Sequence, residues 1–248
     1  QRGANVGRGV DLRVSIMPSV FGEDAVLRLL DKSHLRASND GVTLEGLGYV
    51  RSQGRQFCLT PRILDLGFAY LSSLPLWNLA EPVMERLVEA LKESCSAAVL
   101  DGADIVYVLR VPTHKIMSIN LGIGSRLPAA CTSMGRMLLA ELETSAVDEL
   151  LRQHPLVAHT ARTITDAAAL HAELARVRAQ GWCLVDQELE EGLVSLAVPI
   201  RDRAGRAIAA MNVSGQAART PAAAMVAQFL PRLQAAAAQI SQMLQAKA

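Results

Sequence analysis

The sequence predicts an α/β (α+β) fold in which a curved antiparallel sheet carries packed helices. Three observations point there. Half of the 248 residues are hydrophobic and only 4% are aromatic, so the core is aliphatic and large enough for one sizeable domain or two modest ones. From Ala97 onward, strand-like and helix-like segments alternate. The connections between neighbouring strands are short: Asp101-Gly102 is a hairpin signal, and Asp202-Arg-Ala-Gly205 joins two further strands.

Residues 1–20 show no clear period, and their arginines, glycines and Pro18 predict an irregular start. Glu23–Asp31 reads as a short helix with Val26, Leu27, Leu29 and Leu30 on an apolar face. Ser38-Asn-Asp-Gly41 breaks the chain. The end of a helix follows at Leu44, then a strand at Tyr49–Arg51, a turn at Gln53-Gly54 and a returning strand at Gln56–Leu59. This ribbon, with Arg51 and Arg55 at its tip, has the outline of a wing. Thr60-Pro61 is a helix start, a capping hydroxyl followed by proline at the first helical position. Ile63, Leu66, Gly67, Tyr70 and Leu71 recur along that helix at helical spacing, giving it one apolar face, and it ends near Pro75. A second helix runs over Trp77–Ser94, with Leu79, Val83, Leu87 and Leu91 four apart.

Strands are predicted at Ala97–Leu100, Ile105–Val111 and Ile116–Leu121, and helices at 133–142 and 145–152. Asp166–Gln180 is an amphipathic helix stopped by Gly181. Strands at Trp182–Asp186, Ser195–Arg201 and Ala207–Val213 follow, and Thr220-Pro221 opens a final helix to about Lys247.

The net charge of +1, from 25 basic and 24 acidic side chains, points to no polyanionic partner at the level of the whole chain; a local basic patch remains compatible with it. Cys58, Cys95, Cys131 and Cys183 lie far apart without a CxxC pair, the pattern of buried free thiols in a reducing cytoplasm rather than a zinc or redox site. No apolar run approaches the ~20 residues of a membrane span, and the first twenty residues do not read as a secretory signal. The five histidines, His34, His114, His154, His159 and His171, lack metal-site spacing, so no metal or other cofactor is expected. Asp186, Glu188, Glu190 and Glu191 form an acidic cluster that reads as a solvated loop, because no nucleophile or partner base accompanies it. No catalytic constellation is present, and the expectation is a protein that is not an enzyme.

Leu121–Ala140 is the most informative stretch. A strand ends in a glycine turn, and a helix opens after a run of small residues, leaving the amides near Ser133, Met134 and Gly135 directed at open space. Such a helix start suits a carboxylate. A loop that only caps the helix with Thr132 or Ser133 fits the same residues equally well. Ser195, Asn212 and Ser214 stand in strands that otherwise read apolar. Grouped near Ser133 they would make a pocket with hydroxyl and amide donors for a carboxylate; ordinary polar residues on a solvated sheet face are the alternative.

From about Leu44 to the end, the chain resembles the IclR-type bacterial transcription regulators, most closely the branch that controls aromatic-acid catabolism through the β-ketoadipate pathway. Leu44-Glu-Gly-Leu-Gly-Tyr-Val-Arg-Ser52 and Phe57-Cys-Leu-Thr-Pro-Arg-Ile-Leu-Asp-Leu-Gly67 match that family's wing and linker. Glu93-Ser-Cys-Ser96, Asp104-Ile-Val-Tyr-Val108, Arg110-Val-Pro-Thr113, the run around Ser133, Thr163-Ile-Thr-Asp166 and Asp186-Gln-Glu-Leu-Glu-Glu-Gly-Leu193 match its effector domain. The resemblance implies a winged helix-turn-helix DNA-binding domain over 1–59, a linker helix over 60–75 used in dimerisation, and an effector-binding domain over 76–248. It places the effector pocket on Ser133, Met134, Asp186, Ser195, Asn212 and Ser214, and DNA contacts on Arg51, Arg55 and Arg62. Some relatives carry an acid one position before Asp186, where this chain has Val185.

The N-terminal part departs from the family. Only Arg28–Leu47 separate Val26-Leu27 from Gly48-Tyr49, too short a span for two more helices with their turn, since each needs ~8 residues or more. Either the DNA-reading element is absent, or the sequence joins two pieces across an omitted stretch; the abrupt return of the family pattern at Asp40 favours the second. The implied function is a cytoplasmic, ligand-responsive regulator that binds double-stranded operator DNA as a homodimer or tetramer and senses a small aromatic or dicarboxylic acid. The competing reading is a small-carboxylate sensor or enzyme domain with no DNA role.

Overall fold

The computed structural model describes residues 12–19, 22–29, 44–53, 56–73, 76–113 and 121–246, and the chain divides into two units, Gln1–Ser73 and Leu74–Ala248. In the first, β1 (Leu12–Ser19), β2 (Gly22–Leu29), β3 (Val50–Gln53) and β4 (Gln56–Leu59) form an antiparallel sheet in the order β1-β2-β4-β3. The expected ribbon is present: Val50 pairs with Leu59 and Gln53 with Gln56. Its strand pair β1–β2 differs from expectation twice. Residues 12–19 are a strand rather than irregular, and 22–29 are a strand rather than a helix. Leu12, Val14 and Ile16 alternate with polar residues, and the register sets them opposite Leu29, Leu27 and Ala25, so a period of two prevails over the helical spacing. The helix-turn-helix elements implied by the resemblance would fall on 30–43, outside the described residues, as do Gly54 and Arg55 of the ribbon tip.

Helix α1 (Ile63–Ser73) starts two residues later than the proline signal suggested. Thr60 does not cap it with its side chain: the hydroxyl donates to the Gly48 carbonyl at 2.5 Å, while its carbonyl accepts from Ile63 N–H. Leu64, Leu66, Phe68 and Tyr70 of α1 are exposed.

The second unit is built on a six-stranded antiparallel sheet: β5 (Ser94–Asp101), β6 (Asp104–Val111), β7 (Arg126–Pro128), β8 (Cys183–Asp186), β9 (Leu193–Arg201) and β10 (Ala207–Gln216), in the order β7-β6-β5-β10-β9-β8. The short β7 was not expected, and most of the predicted strand Ile116–Leu121 lies outside the described residues. One sheet face packs on α2 (Leu76–Leu91) and α6 (Ala222–Ala246). Helix α6 buries Met225, Phe229, Leu233, Ala236, Ile240 and Leu244, one stripe at helical spacing. The other face packs on α3 (Ser133–Leu139) and lies in the same core as α5 (Ala167–Gln180), with α4 (Thr144–Gln153) supplying Val147 to that core. Helix α5 has the predicted ends: Asp166 accepts from Ala169 N–H at 2.7 Å, and Gly181 closes the helix at φ 75°. Among the described residues no helix is long and apolar enough to cross a membrane.

Candidate functional site

Pairing register turns the sheet into a map of side chains, because residues paired across antiparallel strands share a face. On the α3 face, Tyr107, Ala98 and Ala210 form an apolar rung. Toward one end of the sheet this face turns polar. Arg110, Ser96 and Asn212 make the next rung, and Ser94, Ser214 and Ser195 the one after. Tyr107 and Arg110 are three apart and would lie on opposite faces of a regular strand. The pairing of β6 with β5 slips between Ala97 and Ala98, a bulge that lets both meet the same face.

Helix α3 closes this polar end. It follows a single 3-10 turn, Ala129–Cys131, which packs so closely that a Cβ on Gly135 would stand 2.2 Å from the Ala129 carbonyl oxygen. Thr132 Oγ1 accepts from Gly135 N–H at 3.2 Å, so the amide of Gly135 does not face open space as the sequence suggested.

A cavity of about 40 Å³ lies between them. Its lining includes Ser133, Met134, Ser195, Asn212 and Ser214, five of the six residues proposed for the pocket. Their polar atoms form one network. Asn212 Nδ2 donates to Ser195 Oγ at 2.9 Å and to Ser214 Oγ at 3.0 Å, and Ser214 Oγ donates to Ser195 Oγ at 3.1 Å. Ser195 then has both lone pairs engaged, so its proton goes to Ser133 Oγ at 2.6 Å. Asn212 Oδ1 is buried and has no partner among the described residues.

The sixth residue, Asp186, is not in the lining; Val185 is. The reason is strand parity: Val185 shares a rung with Ser195, and Asp186 shares one with Val194, so their side chains point to opposite sides. Asp186 instead pairs with Arg162 at 2.5 Å. The acidic loop after β8 also departs from the solvated reading. Glu188 is buried and clasps the buried Arg136 of α3 through both oxygens, at 2.6 Å and 2.5 Å.

Sequence reasoning missed Arg110 and Tyr107, which line the cavity. Arg110 Nη1 donates to Ser96 Oγ at 3.2 Å. Burial pushes the Tyr107 hydroxyl up to about 12, opposed in part by Arg110. The bulge that aims both side chains inward leaves no local mark, so a period-two reading could not find the pair. Burial likewise pushes the Cys131 thiol at the cavity wall up to about 11. Cys95 and Cys183 are buried as expected, whereas Cys58 is only half-buried. Among the described residues no group of three or more His, Cys, Asp or Glu side chains could hold a metal ion.

Of the arginines proposed for DNA, Arg51 is exposed on β3. Arg62 lies over the Tyr49 ring at 5.6 Å from its centroid, tying the base of the ribbon to the start of α1. Arg55 lies outside the described residues.

Residues 68–242 match the family model described as the C-terminal domain of the bacterial transcriptional regulator IclR. The chain is 48% identical to the Pca regulon regulatory protein of Pseudomonas putida over 195 residues, covering 78% of this chain and 67% of that protein. The crystal structure of a transcriptional regulator from Rhodococcus sp. RHA1 superposes with a TM-score of 0.68 at 47% identity, covering 82% of this chain and 81% of the other. A double mutant of the inducer-binding domain of the PobR transcription factor from Acinetobacter, crystallised with 3-hydroxybenzoic acid, superposes with a TM-score of 0.64 at 30% identity, covering 67% of this chain and 97% of that domain.

Proposed function

The chain belongs to the IclR family of bacterial transcriptional regulators, and from that premise we propose that the cavity at Ser195 and Asn212 binds the aromatic acid to which it responds. It is a regulator of aromatic-acid catabolism and not an enzyme. The observation that carries the reading is the network of Ser133, Ser195, Ser214 and Asn212, which leaves the Asn212 carbonyl oxygen buried and without a partner among the described residues, in a cavity that Arg110 also lines. Arg110 supplies the cation for a carboxylate, the Asn212 oxygen accepts a hydrogen bond from a ring hydroxyl, and Leu121, Leu127, Leu189 and Leu193 cover the ring. At about 40 Å³ the cavity is far below the ~300 Å³ and more of a ligand site, so binding selects or induces a wider form. That widening displaces α3 and the loop after β8, and this is the change passed to the rest of the regulator.

Leu66 and Tyr70, exposed and four apart on α1, form the seam of a homodimer or of the pairs within a tetramer. The regions 1–59, 60–75 and 76–248 act as DNA-binding domain, linker and effector domain. Arg51, Arg55 and Arg62 contribute to phosphate contacts on double-stranded operator DNA in the cytoplasm. Sedimentation of Leu66→Asp tests the seam: the variant sediments as a monomer where the wild type does not, and an unchanged oligomer removes this face of α1 from the interface.

Calorimetric titration of the full chain with 4-hydroxybenzoate, protocatechuate and an aliphatic dicarboxylate tests the pocket. One of these binds saturably. A charge-assisted hydrogen bond contributes ~1.5–3 kcal/mol, so Arg110→Gln weakens binding roughly 10- to 100-fold. Wild-type affinity in both Arg110→Gln and Asn212→Leu moves the effector elsewhere.

A further inference from the structure

A second cavity, of about 260 Å³, shares one lining residue, Cys131, with the first. Its walls come from Leu139 of α3, Val147, Leu150 and Leu151 of α4, and Leu156 and Ile164 of the segment that follows. An apolar cavity of ~150 Å³ accepts benzene, so this one has room for a substituted ring. Its polar groups are unevenly committed. The Asp104 carboxylate is held by Arg126 at 3.1 Å, and the Thr163 hydroxyl donates to the Glu188 carbonyl at 2.6 Å. His154 and His159 are exposed, which puts them at the rim, and neither imidazole has a hydrogen-bond partner among the described residues.

We propose that this cavity is a second small-molecule site, which takes a single aromatic ring against the leucines of α4 and presents a hydroxyl or carboxylate substituent to His154 and His159. The ligand class follows from the apolar walls, the volume and the two free imidazoles at the mouth. The site is also coupled to the first cavity. Pro128, Ala130 and Cys131 line the larger cavity, while Cys131, Thr132 and Ser133 line the smaller. The 3-10 turn sits flush on Gly135, so it cannot yield toward α3 without moving the helix. A ring that displaces this partition alters the neighbouring site, and the effect is reciprocal. This coupling rests on the effector reading above; occupancy of the larger cavity does not.

The test is phenol titrated into the full chain with 13C-labelled Ile, Leu and Val methyls, observed by NMR. Saturable shifts at Val147, Leu150, Leu151, Leu156 and Ile164 are expected, and they vanish in Leu150→Trp, which fills the cavity from a half-exposed position. His154→Ala with His159→Ala alters only exposed side chains and weakens phenol severalfold. If Leu150→Trp does not fold, the wild-type shifts and the histidine pair decide. Absence of saturable shifts at millimolar phenol overturns the proposal. So do shifts confined to Leu127, Leu189 and Leu193, which report the smaller cavity. Shifts that follow protein concentration without phenol also overturn it, because a second copy then covers the opening. Coupling is read as a change of at least twofold in 4-hydroxybenzoate affinity at saturating phenol, and equal affinities refute it. Failure of all three acids named above to bind, with phenol binding intact, refutes the effector reading alone.

Discussion

Glu188→Ala removes one half of the most deeply buried ion pair described. Arg136 is 1% exposed and Glu188 8%. The carboxylate takes both terminal nitrogens of the guanidinium and also accepts Ile164 N–H at 3.0 Å. Without it, Arg136 keeps the Ala130 carbonyl at 2.7 Å, and its nearest remaining carboxylate is Glu173, at 3.9 Å. A charge stranded in the interior costs ~3–5 kcal/mol. The unpaired Ile164 amide adds to this, though not additively, so we take about 4 kcal/mol in all. With a urea m-value of ~2 kcal/mol/M, the unfolding midpoint falls by about 2 M. Urea titration by circular dichroism at fixed protein concentration measures this, the fixed concentration being needed because association shifts apparent stability. Arg136→Met with Glu188→Met removes both charges and recovers the part of the loss due to the stranded guanidinium, since apolar replacement of a buried pair is about neutral, while the Ile164 amide stays without its acceptor. A midpoint shift under about 0.5 M, or a double variant no better than the single one, would refute the reasoning.

Gly135→Ala forces a Cβ to within 2.2 Å of the Ala129 carbonyl oxygen; overpacking of this kind costs ~1–3 kcal/mol, read as a lower Tm, and an unchanged Tm means the 3-10 turn is free to move. Burial pushes the thiols of Cys131 and Cys183 from 9.0 up to about 11 and about 12. Above about pH 9 the unfolded chain has lost protons that the folded chain keeps, so stability falls with rising pH, by at most ~1.4 kcal/mol per pH unit for each thiol. Urea midpoints across that range test it, and Cys183→Ala with an undiminished slope removes this thiol as a cause. Arg51→Ala with Arg55→Ala weakens operator binding about equally for related sequences and flattens its salt dependence, while effector affinity stays at the wild-type value; wild-type DNA affinity at several salt concentrations removes the ribbon from the interface.

What was legible in the sequence was mostly local. Asp166 and Gly181 mark the ends of α5 because a capping carboxylate and a left-handed glycine act within one helical turn. Ser195, Asn212 and Ser214 stood out because polar residues interrupt apolar strands, and pairing register does bring them together. What was hidden depends on partners far along the chain. Glu188 reads as one of several loop acids until Arg136, 52 residues earlier, is folded against it. Arg110 and Tyr107 share a face only through a bulge. Asp186 falls outside the cavity lining by one step of strand parity, which position within a motif does not reveal. The strand at 22–29 reads equally well as a helical stripe, because short apolar runs satisfy both periods until a pairing strand decides between them.

The polar floor explains how a site can persist in the middle of a core. Three hydroxyls and one amide taken out of water would be costly if unpaired, yet here each donor hydrogen of Asn212 and the hydroxyls of Ser195 and Ser214 find acceptors within the group. The network therefore holds its geometry without a ligand. Asn212 Oδ1, without a partner among the described residues, is an acceptor and carries a penalty of ~1–3 kcal/mol that a ligand donor would relieve. A ligand offering only acceptors, such as a simple carboxylate with no hydroxyl, gains Arg110 but leaves that penalty in place. Under the proposed function, discrimination between a hydroxybenzoate and benzoate rests on one buried carbonyl, and Asn212→Leu narrows it by removing the unsatisfied group from both complexes. Comparing the ratio of 4-hydroxybenzoate to benzoate affinity in wild type and Asn212→Leu decides the matter: an unchanged ratio would mean that the ring hydroxyl is recognised elsewhere in the cavity.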